Sequence, residues 1–170
     1  MEPEPTTPPA PSGEAPTEEP TEEQAALVAA TRRFLAAECP LTATRALEGS
    51  PAGYDPEVWR RACAMGWTGL LVDEAHGGGA VSAHGLVDAT LVAEEVGRVV
   101  APGPLVPVTV VADALSRGGT DAQRERVLPG LLDGTAVAAW TGPSSVTARR
   151  DGDVLVLHGD EVAHEARGHL

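Results

Sequence analysis

The sequence predicts a mainly α-helical protein whose last part opens a β domain. Three observations support this fold class. Before residue 134, apolar residues recur at helical spacing in several segments. Glycine, proline and good capping residues mark the ends of these segments. After residue 134, two β-rich runs flank the pair Asp151 and Gly152, and Asp-Gly is a strong signal for a tight hairpin.

The first 22 residues form a separate acidic segment in which Pro, Glu, Thr and Ala predominate. Such a segment cannot bury enough apolar surface to offset the entropy that it would lose on ordering. Residues 1–22 are therefore predicted to be a disordered tail, with a partner-binding peptide as the alternative. A helical domain is predicted over residues 23–134, and an incomplete β domain over residues 135–170.

The composition argues against several classes of protein. The 170-residue chain carries a net charge of −13 and has no cluster of basic residues, which argues against nucleic-acid binding. No apolar run is long enough to span a membrane, and the N-terminus lacks the cationic and apolar parts of a secretory signal. Cys39 and Cys63 are too few for a disulfide framework, so we expect reduced thiols and a cytoplasmic location.

Two helices are predicted in the first half of the helical domain. One runs from Gln24 to Glu38. The other begins at Asp55, a good N-cap that is followed by proline, and ends at Gly66. Apolar residues at helical spacing predict the buried faces of both helices. They are Leu27, Thr31, Phe34 and Leu35 in the first, and Val58, Trp59, Ala62, Cys63 and Met65 in the second.

The second half of this domain contains the signals of three more helices. One begins at Ser82 or His84, and a second covers Leu105 to Leu115. Thr120 and Gln123 form a capping box for a third helix through Leu128, which Pro129 is predicted to interrupt, with Leu131 and Leu132 continuing its last turn. In the first of these helices, we expect five residues to face inward: Leu86, Val87, Leu91, Ala93 and Val96.

The C-terminal part is predicted to begin a β domain. Residues 146–149 and 154–157 are the two arms of the predicted hairpin, and a further strand is predicted near residues 161–164. A lone hairpin is only marginally stable in water. We therefore expect that the β domain is incomplete in this chain.

Four motifs carry a resemblance to a known family. They are MGWTGLLV at residues 65–72, EAHGGG at 74–79, EEVG at 94–97 and QRERVLPGL at 123–131. Each is weak alone, but their order and separations together are more specific. Over residues 24–165 the chain resembles the N-terminal part of the acyl-CoA dehydrogenases.

The resemblance implies a fold and an activity. Family members have an N-terminal helical domain, a β middle domain and a C-terminal helical bundle, and they are commonly oligomers. They desaturate acyl-CoA thioesters between the α and β carbons, with FAD as the electron acceptor. The catalytic base is a glutamate of the C-terminal domain, so the resemblance places no catalytic residue within this chain, and the isolated chain is expected to be inactive.

The resemblance also suggests binding residues. Where the family has its flavin-contacting T-E-P-x-x-G-S-D motif, this chain reads WTGPSS at residues 140–145, with glycine in place of the glutamate. Trp140, Thr141 and Ser145 are the predicted FAD contacts, with a core role as the alternative for the tryptophan. Residues 66–86 and the helix from Leu105 are expected to help wall the acyl chain. The predicted acyl-pocket residues are Gly77, Gly78 and Leu86, with a flexible turn as the alternative for the glycines.

Other interpretations stay open at this stage. The altered flavin motif resembles that of divergent actinobacterial subunits that pair with a catalytic partner. The chain could therefore be a non-catalytic helical subunit that docks on another acyl-CoA dehydrogenase chain, in a homo- or hetero-oligomer, or a gene remnant. Glu94 and Glu95 point in different directions on a helix, which favours helix-end charges or an interdomain ion pair with arginine over paired catalysis. The spacing of the histidines does not predict a metal site.

Overall fold

The computed structural model describes residues 19–140 and 146–160. This part of the chain contains a group of six α-helices followed by one β-hairpin. The helices are α1 Glu22–Glu38, α2 Leu41–Ala46, α3 Pro56–Ala64, α4 Gly85–Arg98, α5 Leu105–Gly118 and α6 Asp121–Asp133. The strands are β1 Thr147–Asp151 and β2 Val154–His158. The predicted fold class, mainly helical with the first strands of a β domain, is confirmed.

Side-chain caps fix the start of three helices. Thr21 and Gln24 form a capping box at α1, so this helix begins at Glu22, two residues before the predicted start. Asp55 caps α3 through the backbone N–H groups of residues 57 and 58, as predicted. The capping box of Thr120 and Gln123 likewise opens α6.

The predicted interruption at Pro129 is wrong, because α6 continues through it to Asp133. Proline removes one backbone hydrogen bond and strains the preceding turn. Here the neighbouring Leu128 and Leu131 are 2% and 1% exposed, so the packing of the last turn outweighs that loss. The short helix α2, which has no buried residue, was not predicted.

The core lies where α1, α3, α5 and α6 surround the turn after α3. The 3-10 turn Trp67–Gly69 lies within the motif at residues 65–72, and all three of its residues are buried. The ring of Phe34 meets that of Trp67 edge to face, with centroids 5.4 Å apart. The predicted stripe of α1 is confirmed, since Leu27, Thr31 and Leu35 are buried and Phe34 packs against the core.

The predicted inward face of α4 is wrong at its start. Leu86 is 69% exposed and Val87 is 48% exposed, whereas Asp88, Val92 and Glu95 are buried. Two of these buried residues are acidic and have partners on α1, which allows a polar stripe to face inward. The apolar start of α4 therefore lies on the outside of the helical group.

The predicted hairpin is present and antiparallel, but Asp151 is the last residue of β1 and pairs with Val154, so the turn is Gly152 and Asp153 and not the predicted pair Asp151 and Gly152. Val154, Leu155 and Leu157 of β2 are 62%, 59% and 65% exposed. The strand predicted near residues 161–164 lies outside the described residues, and the domain bounds stay predictions. Within residues 19–140 and 146–160, no helix is both long and apolar enough to cross a membrane.

Candidate functional site

A shallow apolar depression lies between α4 and α5 on the outside of the helical group. We call it the α4–α5 trough, and its volume is about 260 Å³. Leu86, Val106 and Val110 are 69%, 48% and 39% exposed, so the trough presents large apolar side chains to its surroundings. Its lining residues are Trp67, Leu71, Leu86, Ala89, Thr90, Ala93, Leu105, Val106, Thr109 and Val110.

A wider depression continues the trough toward the C-terminal end of α4. We call it the wide hollow, and its volume is about 480 Å³. It shares Ala93, Leu105 and Val106 with the trough, so the two form one continuous surface. Its lining residues are Ala52, Gly53, Tyr54, Ala93, Val96, Gly97, Gly103, Pro104, Leu105 and Val106. No acidic residue, basic residue or histidine lines either depression, so this surface suits an uncharged apolar group.

An ion pair fixes α4 against α1. The Arg32 guanidinium donates to both carboxylate oxygens of Glu95, at 2.7 and 2.8 Å. Hydrogen bonding from Arg32 lowers the pKa of Glu95, against the opposing effect of burial. Glu95 therefore forms an ion pair with an arginine, but within the helical domain and not between domains as predicted, and this pair holds the helix that carries the trough.

A second polar cluster fixes the loop that leads into α4. Asp88 is fully buried and accepts hydrogen bonds from Gln24 Nε2 at 3.0 Å and from Ser82 Oγ at 2.7 Å. It also accepts from the backbone N–H groups of Val81 and Ser82. Burial opposes ionisation of Asp88, but these hydrogen bonds outweigh it and hold the pKa below its ordinary value.

The glycine-rich loop folds closely against the turn before it. Gly77 has a left-handed backbone, with φ +85°. A Cβ on Gly78 would lie 2.3 Å from the carbonyl oxygen of Val72, so the loop approaches this turn at a distance that only glycine allows. Of the three predicted pocket residues, Leu86 lines the trough, whereas Gly77 and Gly78 are not among the residues that line it. Their role in substrate binding stays a prediction.

The predicted flavin contacts fall at the edge of the described chain. Trp140 is described and is 38% exposed, and Thr141 and Ser145 lie outside the described residues. A half-exposed indole fits contact with a planar ring system, so this residue is compatible with the predicted role. Cys63, which was predicted on the buried face of its helix, is buried and is a free thiol, as predicted, and burial raises its pKa to about 12.

Comparison with protein-family models matches the chain to the family described as "Acyl-CoA dehydrogenase, N-terminal domain", over residues 21–135. The chain belongs to the acyl-CoA dehydrogenase family. The matched region covers all six helices and therefore the trough and the wide hollow. The family resemblance that the four motifs suggested is confirmed.

Known relatives of this acyl-CoA dehydrogenase domain are considerably longer. FadE12, an acyl-CoA dehydrogenase of Mycobacterium tuberculosis, is 33% identical over a 124-residue alignment that covers 64% of this chain and 30% of the relative. A solved variant of the Tcur3481-Tcur3483 steroid ACAD has a TM-score of 0.68 at 33% identity, with 81% of this chain and 40% of that chain covered. The ChsE4-ChsE5 complex of Mycobacterium tuberculosis shares the fold, with a TM-score of 0.69 at 23% identity, and covers 82% of this chain and 39% of that chain.

The resemblance pointed to the helix from Leu105 as a wall of the acyl site, but several individual residues of this acyl-CoA dehydrogenase surface were not found from the sequence. Val106 and Val110 are one helical turn apart on α5, but periodicity alone does not tell an exposed apolar face from a buried one. Asp88 is not part of any sequence motif, and its role depends on Ser82 and Gln24, which are six and 64 positions away in the sequence. Gly97 was seen only as part of the EEVG motif, although it lines the wide hollow.

Proposed function

We propose that this chain supplies the helical wall of an acyl-CoA dehydrogenase, an enzyme that introduces a double bond between the α and β carbons of an acyl-CoA thioester. The observation that carries the proposal is the α4–α5 trough, a continuous apolar surface without a charged lining residue. Leu86, Val106 and Val110 are exposed in this structure. An acyl chain that lies in the trough would cover these side chains, and both apolar surfaces would be removed from water.

The described residues support positioning of the substrate rather than proton transfer. Desaturation needs a base for the α-proton, and the residues that line the trough and the wide hollow include no carboxylate or imidazole. We propose that the base comes from residues beyond those described or from another chain. The role of α4 and α5 is to exclude water and to align the acyl chain, which lowers the entropic part of the barrier.

FAD is the proposed cofactor, as in the family at large. It would supply the acceptor for the hydride equivalent from the β carbon. Trp140 is the described residue that we propose to contact it, together with Thr141 and Ser145. The two buried free thiols, Cys39 and Cys63, support the accompanying proposal of a reducing, cytoplasmic location.

A second candidate function is that of a non-catalytic subunit that docks on a partner acyl-CoA dehydrogenase chain. The observation that favours it is the exposed apolar surface of the hairpin, where Leu155 and Leu157 are 59% and 65% exposed. Solved structures that resemble the chain include one described as a complex of two different chains, ChsE4 and ChsE5. In this proposal the flavin and the base belong to the partner, and this chain completes the acyl pocket.

The first experiment separates these two functions. The chain is purified alone, and again after co-expression with a full-length acyl-CoA dehydrogenase from the same source, and the flavin absorbance spectrum of each product is recorded. Flavin with the chain purified alone, bleached by an acyl-CoA, supports the dehydrogenase assignment. Flavin that this chain retains only in the complex identifies it as a subunit. No flavin and no association in either case would refute both functions.

A pair of variants tests the trough itself. Val106→Asp places a charge on the trough at a residue that is 48% exposed, so the fold should tolerate it. Leu41→Asp is the matched control, because Leu41 is 53% exposed on α2 and does not line the trough. We expect the first variant to bleach the flavin more slowly or to bind acyl-CoA more weakly, and the control to behave as the parent protein does. Equal behaviour of the two variants would argue against the trough as the acyl site.

A further inference from the structure

Gly97 is a glycine that neither the backbone nor local packing requires. It lies in the last turn of α4, and its φ is outside the left-handed region that favours glycine. A Cβ built at this position would meet no atom within 4 Å. Because glycine loses more conformational freedom on folding than alanine does, a helical position of this kind is normally filled by another residue.

The other described glycines show how unusual this is. Each has a left-handed backbone or a close neighbour that a Cβ would touch, with one exception. The exception is Gly118, which ends α5, also has an ordinary backbone and would also meet no atom within 4 Å. Gly118 does not line the wide hollow, whereas Gly97 does. The two therefore form a matched pair that differs in position relative to this hollow.

The hollow is wide because many of its lining residues are small. Five of its ten lining residues are glycine or alanine: Ala52, Gly53, Ala93, Gly97 and Gly103. Gly53 and Gly103 have positive φ values of 71° and 154°, so their backbone accounts for glycine. For Gly97, the remaining explanation for the presence of glycine is that it keeps the space beside the helix open. Any larger residue at this position would project into a volume of about 480 Å³ that continues the trough.

We propose that Gly97 is a specificity-determining residue, which leaves room in the wide hollow for a ring-bearing or branched end of the acyl group. The inference rests on the proposed function, since the occupant is the acyl group of the thioester in the adjoining trough. An unbranched acyl chain is narrow, and the trough alone is wide enough for it. The hollow has no charged lining residue, so the bulky end that it accepts is uncharged.

The test compares Gly97→Leu with Gly118→Leu in the full chain, assembled with the partner dehydrogenase if the chain requires one. Calorimetry measures the binding of octanoyl-CoA and of a fused-ring acyl-CoA to each variant. We expect Gly97→Leu to weaken binding of the fused-ring thioester about tenfold or more, and binding of octanoyl-CoA by no more than about twofold. Gly118→Leu should leave both affinities unchanged. Gly97→Ala, a good helix former, provides a smaller graded loss if the leucine variant does not fold.

The outcomes separate this inference from the proposed function. The inference is overturned if Gly97→Leu weakens binding of both thioesters equally or weakens neither. The same holds for Gly97→Ala if it replaces the leucine variant. This conclusion does not depend on whether the protein desaturates octanoyl-CoA. Selective weakening of the fused-ring thioester supports it even if no turnover is measured, and in that case only the proposed reaction fails. Binding of neither thioester to the parent protein would overturn both. If a side chain of the partner fills the hollow, Gly97→Leu should weaken the association of this chain with the partner dehydrogenase. This result would also contradict the inference.

Discussion

Arg32 of α1 and Glu95 of α4 form a two-point ion pair in which the two side chains are buried to very different extents. The guanidinium donates at 2.7 and 2.8 Å, yet it is 59% exposed, whereas the carboxylate is 5% exposed. Arg98 is a weaker second partner, at 3.6 Å. The buried carboxylate therefore depends mainly on Arg32 for the charge that compensates it, and α4 carries the trough wall.

The first prediction concerns this dependence. Arg32→Met should lower the free energy of unfolding by about 1–3 kcal/mol, because it leaves a buried carboxylate without its main hydrogen-bond donor. Arg117→Met is the control, since Arg117 pairs with Asp113 on an exposed surface, and a change of less than about 0.5 kcal/mol is expected there. Urea unfolding followed by circular dichroism measures both. Similar losses for the two variants would show that the burial of Glu95 does not matter.

The second prediction concerns the acid sensitivity that Asp88 confers. Its pKa is lower in the folded protein than in the unfolded chain, so the ionised group stabilises the fold at neutral pH. This contribution is fully present above the unfolded pKa of about 3.9, and it is lost as the pH falls through the folded pKa. Asp88→Asn should therefore be less stable by about 1–3 kcal/mol at pH 7, with a difference from the parent protein that shrinks below about pH 4.

Urea unfolding at several pH values between 3 and 7 is the measurement for this prediction. Glu95 and Asp133 also have lowered pKa values, so both proteins lose stability in acid, and only the difference between them reports on Asp88. A difference that stays constant across this range would mean that the hydrogen bonds, and not the charge, account for the role of Asp88.

The third prediction separates a structural from a binding role in the glycine-rich loop. Gly78→Ala should destabilise the protein by about 1–3 kcal/mol, because its Cβ would overlap the backbone of Val72. Gly118→Ala should be neutral or stabilising, since open space surrounds that position. Thermal unfolding of the two variants measures this. If Gly78→Ala keeps full stability, close packing does not explain this glycine, and its predicted role in the acyl pocket gains support.

Local signals in the sequence were sufficient for most helices and for the hairpin. Caps at Asp55 and Thr120 and the Asp-Gly pair act over a few residues. The two helices start where the caps indicate, and the hairpin forms with its turn one residue after the predicted position. The failure at Pro129 has a tertiary cause, because the burial of Leu128 and Leu131 holds the helix beyond the proline. Helix α2 was missed because it has no buried residue and no side-chain cap.

The candidate site was harder to predict than the fold, for a physical reason. Leu86 and Val87 look like core residues by periodicity, but the buried face of α4 is set by Gln24 and Arg32 on α1. An apolar face that serves a ligand or partner has the same pattern as one that serves the core. The sequence could therefore name Leu86 as a pocket residue through family resemblance, while its exposure was found only in the structure.

The fourth prediction concerns the strained end of α4. The backbone N–H of Ala101 donates to the Val96 carbonyl and that of Val100 donates to the Gly97 carbonyl, which is the Schellman pattern. Val100, with φ +53°, occupies the left-handed position of this motif, where glycine is usual and a β-branched residue costs about 1–2 kcal/mol. Its side chain is 68% exposed, so its removal loses little burial.

Val100→Gly should therefore raise the free energy of unfolding, by about 0.5–1 kcal/mol after the larger entropy of the unfolded glycine chain is subtracted. Val99→Gly is the matched control, because Val99 has a φ of −105° and packs against the core, so that variant should be less stable. Urea unfolding of both variants gives the comparison. A loss of stability in Val100→Gly would mean that the valine side chain makes a compensating contact, and that the left-handed backbone after α4 is not a source of strain that glycine relieves.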